Sequence, residues 1–366
     1  MNTSKLVEWG EAAPWFVAPA PINPRFDFSS LGGRFVVLVF FGNADLPGVR
    51  DRLKEMSTKV KRWPDDRCVM FGVSNSKADW EDNSVLEAFR PARIFHDENW
   101  DIARSYGVLT RDAENGQLRF KPRWYVLDPT LRVYSHGDFT QFDRFYAEMD
   151  RLPAPSQHAS ATSDPWAPVL MVPRVLSPSF CRALIDYYKA GDAQESGFMR
   201  AEGNKTVGMT DPSFKRRMDV NIVDERLKVG LRSSLVTRLV PELKKAFQYE
   251  ATRIERYIVA CYDSQSQGFF KPHRDNTTSG TAHRRFAVTI NLNAEDFEGG
   301  ELRFPEFGMR TYKAPTGGAV VFSCSLLHEA MPVTAGTRYA TLPFLYGDAD
   351  AEVRLQNRAN VVGVQR

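Results

Sequence analysis

The sequence predicts two domains of different class: an α/β domain over residues 1–151 and, beyond a linker at 152–166, a β-rich domain over residues 167–366 built as an antiparallel sandwich or jelly roll with flanking helices. Three observations carry this reading. The chain has 366 residues, more than one ordinary domain and suited to two at ~100–200 residues each. The segment Arg151–Trp166, RLPAPSQHASATSDPW, is rich in Pro, Ser and Ala and has no apolar periodicity, the composition of an exposed connector. Before this seam strand and helix patterns alternate, whereas after it helical stretches come first and a run of short β-rich segments follows.

In the first half, Phe35–Phe41 (FVVLVFF) is a continuous β-rich apolar run, as expected of a strand buried on both faces. Gly48–Trp63 has helical spacing, Cys68–Val73 reads as a second strand and Asp79–Phe89 as a second helix. Arg93–His96 predicts a short strand and Trp100–Tyr106 a short helix. Trp124–Leu127 and Val133–Ser135 form a hairpin pair about Asp128-Pro129, and Phe139–Leu152 closes as a helix.

In the second half, Ser177 is placed to cap a helix running to about Lys189. Asp224–Phe247 is strongly helical with an interruption at Pro241. Strands are expected at Ile254–Tyr262, Arg285–Asn293, Glu301–Phe304, Ala319–Cys324, Met331–Val333 and Arg338–Tyr346, separated by Gly299-Gly300, Pro315-Thr316-Gly317-Gly318 and Ala335-Gly336. Phe198–Arg217 is polar and contains glycine, which reads equally as a substrate-covering loop or a plain surface loop.

Composition excludes several classes. Hydrophobic residues make up 43% and charged residues 25%, and 48 basic against 45 acidic residues leave a net charge of +3. That balance has no nucleic-acid or membrane footprint. Met1–Trp15 lacks a basic start followed by an apolar run, so no signal peptide is expected. Cys68, Cys181, Cys261 and Cys324 are scattered, without C-x-x-C or zinc spacing. They read as small buried hydrophobes kept reduced in a cytoplasmic setting.

Three features of the second half belong together. His273-Arg274-Asp275 places an imidazole and a carboxylate two residues apart, hence on one face of an extended segment. His328 follows the apolar strand Ala319–Cys324, and Arg338 lies ten residues further on, across the turn at Ala335-Gly336. Singly each has a bland reading: a solvated strand end, a hydrogen-bonded structural histidine, a surface salt-bridge partner. Jointly, two histidines and one carboxylate make the facial triad of non-haem Fe(II) oxygenases. The triad leaves positions for a bidentate 2-oxo acid and O2, and a guanidinium fork suits the far carboxylate of 2-oxoglutarate. His283-Arg284-Arg285 reads as a solvated strand start that could also meet an anion, and Phe269 and Phe270 as core.

Val259–Asp275 (VACYDSQSQGFFKPHRD), Phe286–Phe304 (FAVTINLNAEDFEGGELRF) and Ala314–Leu345 resemble the Fe(II)/2-oxoglutarate-dependent oxygenases of the prolyl 4-hydroxylase type, including the oxygen-sensing prolyl hydroxylases. The resemblance spans roughly residues 167 to 347 and implies a double-stranded β-helix. It implies that His273, Asp275 and His328 hold Fe(II) and that Arg338 holds the far carboxylate of 2-oxoglutarate, where collagen-type members have lysine. Tyr262 matches a tyrosine lining the site, with one or two extra residues before His273. Asn291 falls where oxygen-sensing members have a second co-substrate-binding tyrosine. Asp275 favours hydroxylation, because related halogenases lack that carboxylate. O2 is the second co-substrate, succinate and CO2 are co-products, and ascorbate is a candidate reductant.

The first half, over residues 8 to 151, resembles the peroxiredoxin branch of the thioredoxin fold. Ala13-Pro14-Trp15-Phe16, Leu31-Gly32-Gly33, Phe35–Phe41, Asp97–Val108 and Tyr125–Pro129 carry this likeness. The family's Thr-x-x-Cys falls on Leu46-Pro47-Gly48-Val49, without thiol or hydroxyl, so the domain is expected to be redox-inactive. Its implied role is recognition, packing or dimerisation, with a homodimer as one option. The expected activity is hydroxylation of an unactivated C–H of a prolyl or other residue in a protein or peptide. The alternatives are a free amino acid or small natural product as substrate, a non-catalytic binding protein, and a thiol peroxidase disfavoured by Val49.

Overall fold

The computed structural model describes the chain apart from residues 1–4, 22, 60–62, 64, 66, 90–91, 112–114, 160–164, 204 and 363–366. It divides into two compact units, Met1–Pro165 with Pro305–Gly308, and Trp166–Phe304 with Met309–Arg366.

In the first unit, β1 (Phe35–Gly42) is central because every residue in it is apolar or small and both its faces are covered. It pairs in parallel with β2 (Cys68–Ser74), and β2 in parallel with β3 (Ile94–His96). On the other side it pairs antiparallel with β4 (Arg123–Leu127), which is followed by β5 (Val133–Asp138), giving the order β3-β2-β1-β4-β5. Alternate residues of β1 feed two cores: Val36, Leu38 and Phe40 enter one, and Phe35, Val37, Val39 and Phe41 the other. Helices α1 (Val49–Lys59) and α2 (Phe142–Asp150) cover the second core. This is the thioredoxin-like α/β arrangement the sequence predicts. The expected helix at Asp79–Phe89 is instead a 3-10 turn at Lys77–Trp80 and a helix at Asn83–Ala88, because Asp82 caps the second piece through Ser84 N. Residues 60–62 of the expected first helix and 160–164 of the expected linker lie outside the described residues.

The first helix of the second unit is α3 (Pro178–Ala190), capped by Ser177, whose hydroxyl accepts from Phe180 N. Then come α4 (Glu225–Ser234) and α5 (Val240–Phe247), joined by a π-helical turn at Leu235–Leu239. The wide turn sits just before Pro241, whose missing N–H and bulky ring cannot continue an ordinary helical ladder. Leu231, Leu235, Leu239 and Leu243 point from these helices into a core shared with the large sheet.

The strands that frame the two main sheets of this unit are β6 (Leu170–Val172), β7 (Gln194–Glu195), β8 (Lys215–Arg216), β9 (Met218–Asn221), β10 (Arg253–Glu255), β11 (Ile258–Asp263), β12 (Phe269–His273), β13 (Phe286–Asn291), β14 (Leu302–Arg303), β15 (Thr311–Tyr312), β16 (Ala319–Ser323), β17 (His328–Ala330), β18 (Val333–Thr341) and β19 (Phe344–Tyr346). The large sheet runs β6-β16-β13-β18-β11-β9-β7, with β19 also on β13 and β10 on β19. The small sheet runs β8-β12-β17-β14-β15. All these pairings are antiparallel, the jelly-roll pattern expected.

Four local expectations are corrected. Ile254–Tyr262 is broken in two by Arg256, whose φ of 70° is left-handed. Met331–Val333 is not a strand of its own: Met331 and Pro332 separate β17 from β18, since proline cannot donate to the ladder. Arg338–Tyr346 is likewise split, with β18 ending at Thr341 before Pro343 and β19 starting at Phe344. The expected loop at Phe198–Arg217 is a hairpin of Phe198–Glu202 on Lys205–Met209, with residue 204 outside the described residues.

Candidate metal centre

The site forms from the facing surfaces of the two sheets of the second unit. β12 and β17 are antiparallel neighbours in which His273 and His328 are direct cross-strand partners. Their imidazoles therefore leave the sheet on one face, with ring centroids 4.3 Å apart. The ladder is irregular between Phe270 and His273, where Pro272 lacks an N–H. Asp275 lies two residues beyond β12, and its N–H donates to the Cys324 carbonyl at 2.9 Å. That bond folds the carboxylate back onto the rings: Oδ1 is 3.6 Å from His273 Nε2 and Oδ2 is 3.3 Å from His328 Nε2.

The tautomers follow from backbone geometry. His273 Nδ1 donates to the Lys271 carbonyl at 2.7 Å and His328 Nδ1 to the Leu326 carbonyl at 3.0 Å. Each Nε2 is thereby left as the lone-pair nitrogen facing Asp275, and this backbone partner is what ligating imidazoles ordinarily have behind them. Burial, together with His328, pushes the His273 pKa down to about 3 against the pull of Asp275. Burial alone would raise the Asp275 carboxyl, but His328, His273 and Arg284 hold it well below the usual range. Neutral imidazole and ionised carboxylate are the ligand forms. Phe270 stacks on His273 at 3.5 Å and the Phe322 ring lies 4.5 Å from His328, so the rings are clamped by apolar faces. The donor atoms of His273, Asp275 and His328 all lie within 4.8 Å of one another. Two nitrogens and one carboxylate oxygen converging from one side fit a hexacoordinate iron with positions left open.

Arg338, on β18, lines the same cavity as His273, Asp275 and His328. Arg338 is 2% exposed, yet no carboxylate lies within ion-pair distance among the described residues, and its Nη1 is buried without a hydrogen-bond partner. A buried guanidinium in that state fits an anionic ligand. Tyr262 on β11 is its cross-strand partner, with the guanidinium 5.0 Å from the ring centre. Asn291 on β13 accepts from Arg338 Nε at 3.2 Å and donates to the Ala314 carbonyl at 2.8 Å. The structure thus brings His273, Asp275, His328, Arg338 and Tyr262 to one cavity, and Asn291 meets it through Arg338.

Sequence reasoning missed Arg217 and Arg256, which also line the cavity. Arg217 forms a two-point pair with Asp219 (Nε–Oδ1 2.7 Å, Nη2–Oδ2 2.7 Å) and donates to the Tyr262 hydroxyl at 3.3 Å. The Arg217-x-Asp219 spacing was the available signal, since residues two apart on a strand share a face. His283 and Arg284 are buried rather than solvated, and both bind Glu255, at 2.5 and 2.6 Å. Burial alone would raise the Glu255 carboxyl, but Arg284 and His283 hold it far below its ordinary value. Arg285 pairs with Asp350. Phe269 flanks Arg216, while Phe270 lines the cavity.

Residues 257–346 match the 2OG-Fe(II) oxygenase superfamily. The second unit carries a 2OG-Fe(II) oxygenase domain. The match spans His273, Asp275, His328, Arg338, Tyr262 and Asn291, and this family implies Fe(II), 2-oxoglutarate and O2. Residues 9–136 match the AhpC/TSA family, so a peroxiredoxin-like domain precedes the oxygenase domain. A PKHD-type hydroxylase of Synechococcus sp. is 31% identical over 98 residues, covering 25% of this chain and 43% of that protein. The chain therefore spans less than half the length of that relative. A PKHD-type hydroxylase of Cupriavidus metallidurans is 26% identical over 187 residues, covering 47% of this chain and 75% of its own. A solved prolyl hydroxylase of Trichoplax adhaerens, in complex with a hypoxia inducible factor peptide fragment, aligns with a TM-score of 0.39 at 17% identity, covering 51% and 86% of the two chains.

Proposed function

We propose that the chain is a 2-oxoglutarate-dependent hydroxylase acting on an unactivated C–H, most simply of a prolyl or other residue in a protein or peptide. The observation that supports this best is the pairing, in one cavity, of three convergent metal donors with a buried guanidinium that has no carboxylate partner among the described residues. In this reading His273, Asp275 and His328 hold Fe(II), and Arg338 receives the far carboxylate of 2-oxoglutarate. Iron, 2-oxoglutarate and O2 supply the oxidising power, with 2-oxoglutarate leaving as succinate and CO2 and the substrate gaining one oxygen.

The chain's own residues supply geometry. The Nδ1 bonds of the two histidines fix their ring planes, and Phe270 and Phe322 keep water from the ring faces. Asn291 sets the direction of the Arg338 fork, and Arg217 sets that of the Tyr262 hydroxyl. Asn291→Ala is expected to leave Fe(II) binding intact and to weaken 2-oxoglutarate roughly ten-fold, the effect of one lost hydrogen bond to a charged group. Anaerobic titration of the co-substrate checks this.

The test of the reading is anaerobic addition of Fe(II) and 2-oxoglutarate to the whole protein. A visible charge-transfer band, followed by succinate release on admitting O2, is the expected result. A folded protein that gives no band overturns the proposal.

The first domain is proposed to be redox-inactive. No cysteine stands at the start of α1, where Val49 is buried, and burial pushes the thiol of Cys68 up to about 12. The expected outcome is no peroxide consumption with a thiol reductant and no alkylation of Cys68 in the folded protein at neutral pH. Mass mapping after iodoacetamide treatment reads this directly. Four free, buried cysteines suit a reducing cytoplasm. Among the described residues no helix is long and apolar enough to cross a membrane.

A further inference from the structure

We infer that Arg256 is the receptor for a carboxylate carried by the substrate, an inference that rests on the hydroxylase reading above. The cavity is bordered by more cations than it has partners for. Arg217 is satisfied by Asp219, and neighbouring Arg284 by Glu255. Arg338 is taken by the co-substrate. Arg256 lines the same cavity, and among the described residues no carboxylate stands within ion-pair distance of it. Its Nε and Nη2 both donate to one neutral acceptor, the Leu342 carbonyl, at 2.9 and 2.6 Å. Among the described residues its Nη1 makes no hydrogen bond, and the guanidinium lies 4.5 Å over the Phe344 ring. The face of the fork is therefore fixed and one of its edges is left over.

The electrostatic surroundings ask for an anion. Burial and the Arg217 and Arg284 guanidiniums press the Arg256 pKa down to about 10, opposed by Asp219 and Asp275. Both of those carboxylates are already engaged, one by Arg217 and the other by the two histidines. Arg256 is half-buried, so water meets part of the cost of holding a cation among cations, and an opposite charge joining it would meet the rest. The backbone adds to this cost. Arg256 has a φ of 70°, a left-handed conformation that non-glycine residues avoid and that gathers at ligand sites. This kink divides β10 from β11 and directs residue 256 to the cavity.

The co-substrate does not supply the missing charge. In the reading above, one of its carboxylates would go to the metal held by His273, Asp275 and His328 and the other to Arg338. Arg338 is held by Asn291 Oδ1 and Arg256 by the Leu342 carbonyl, so the two guanidiniums are fixed by different partners. The substrate class is thus one that presents a carboxylate beside the C–H to be hydroxylated. It is either the α-carboxylate of a free amino acid or small acid, or an acidic side chain or C terminus in a peptide.

The test uses the whole protein loaded anaerobically with Mn(II) and 2-oxoglutarate, so that no turnover occurs. Calorimetry compares the twenty L-amino acids with their amides, and prolyl tripeptides that differ only in Glu against Gln or in a free against an amidated C terminus. At least one carboxylate member is expected to bind about ten-fold or more tightly than its neutral twin. Amino acids against tripeptides tell the two sources apart. Arg256→Gln is expected to bring the pair within about two-fold of each other, and Arg256→Lys to restore part of the difference. In both variants the anaerobic Fe(II)–2-oxoglutarate band titrates as in the wild type, which also shows that they fold. The inference is overturned if no wild-type pair favours the carboxylate, or if Arg256→Gln weakens both members alike. Loss of the band in the wild type itself would instead sink the hydroxylase reading, and the inference with it.

Discussion

Arg338→Ala is expected to raise the 2-oxoglutarate concentration for half-saturation by ~10²-fold or more while leaving Fe(II) binding nearly unchanged. Truncating one partner of a buried, hydrogen-bonded charge pair costs roughly 2–5 kcal/mol, about thirty-fold to several thousand-fold in affinity. Arg338 lies toward the larger end because it is 2% exposed and its Nη1 is buried without another partner among the described residues. Stability is expected to move the other way. Without co-substrate, Arg338 is a buried cation whose Nη1 has no partner, and burial already lowers its pKa. Removing it relieves that penalty at the expense of a cavity, so the melting temperature of the ligand-free variant is expected to equal or exceed that of wild type. Added 2-oxoglutarate should raise the melting point of wild type and not of the variant. A large fall in ligand-free melting temperature would mean that Arg338 is chiefly a packing residue.

Asp275→Ala is expected to abolish the visible band and succinate formation together. Loss of an outer partner of a metal ligand costs ~10–100-fold in metal affinity, and loss of the ligand itself costs more. Asp275 supplies the only carboxylate of the cluster formed with His273 and His328. Without it two neutral imidazoles face an open position, a poor match for a hard divalent iron. Because Asn276 and Thr277 follow directly and the Asp275 N–H bond to Cys324 is a backbone bond, alanine keeps the chain path, and circular dichroism should be unaltered. A variant that retained the band would remove Asp275 from the ligand set.

Much of this was legible from the chain alone, for a physical reason. His273 and Asp275 are two residues apart, so their common face depends only on the period of an extended strand. His328 and Arg338 follow from β-rich context at fixed spacing. The position of Asn291 was also visible, but its use was not. That Asn291 bridges Arg338 Nε and the Ala314 carbonyl depends on the register of β13 against β18, which no local pattern encodes. Arg256 was hidden more thoroughly. Ile254–Tyr262 reads as a single strand, and the left-handed residue within it marks where the chain leaves its pairing with β19 and takes up β9 and β18. Glu255 beside it is buried by the same switch, which is why His283 and Arg284, solvated in a local reading, find a partner 28 and 29 residues back. In the first domain, the sequence of β1 was enough to predict a two-sided core, because seven apolar residues in a row cannot leave either face wet.

The backbone clamp behind the two histidines bears on how this centre tolerates change. Each imidazole is oriented by the carbonyl of the residue two positions before it, Lys271 and Leu326, and a carbonyl is present whatever side chain that residue carries. Ring orientation is therefore encoded in chain geometry rather than in a neighbouring side chain that drift could erase. Positions 271 and 326 are free to diversify, and the surface around the metal can be remodelled for new substrates without the donors losing their aim. The vulnerable points are instead those that set the chain path, such as Pro272 in the irregular ladder and the Asp275–Cys324 bond.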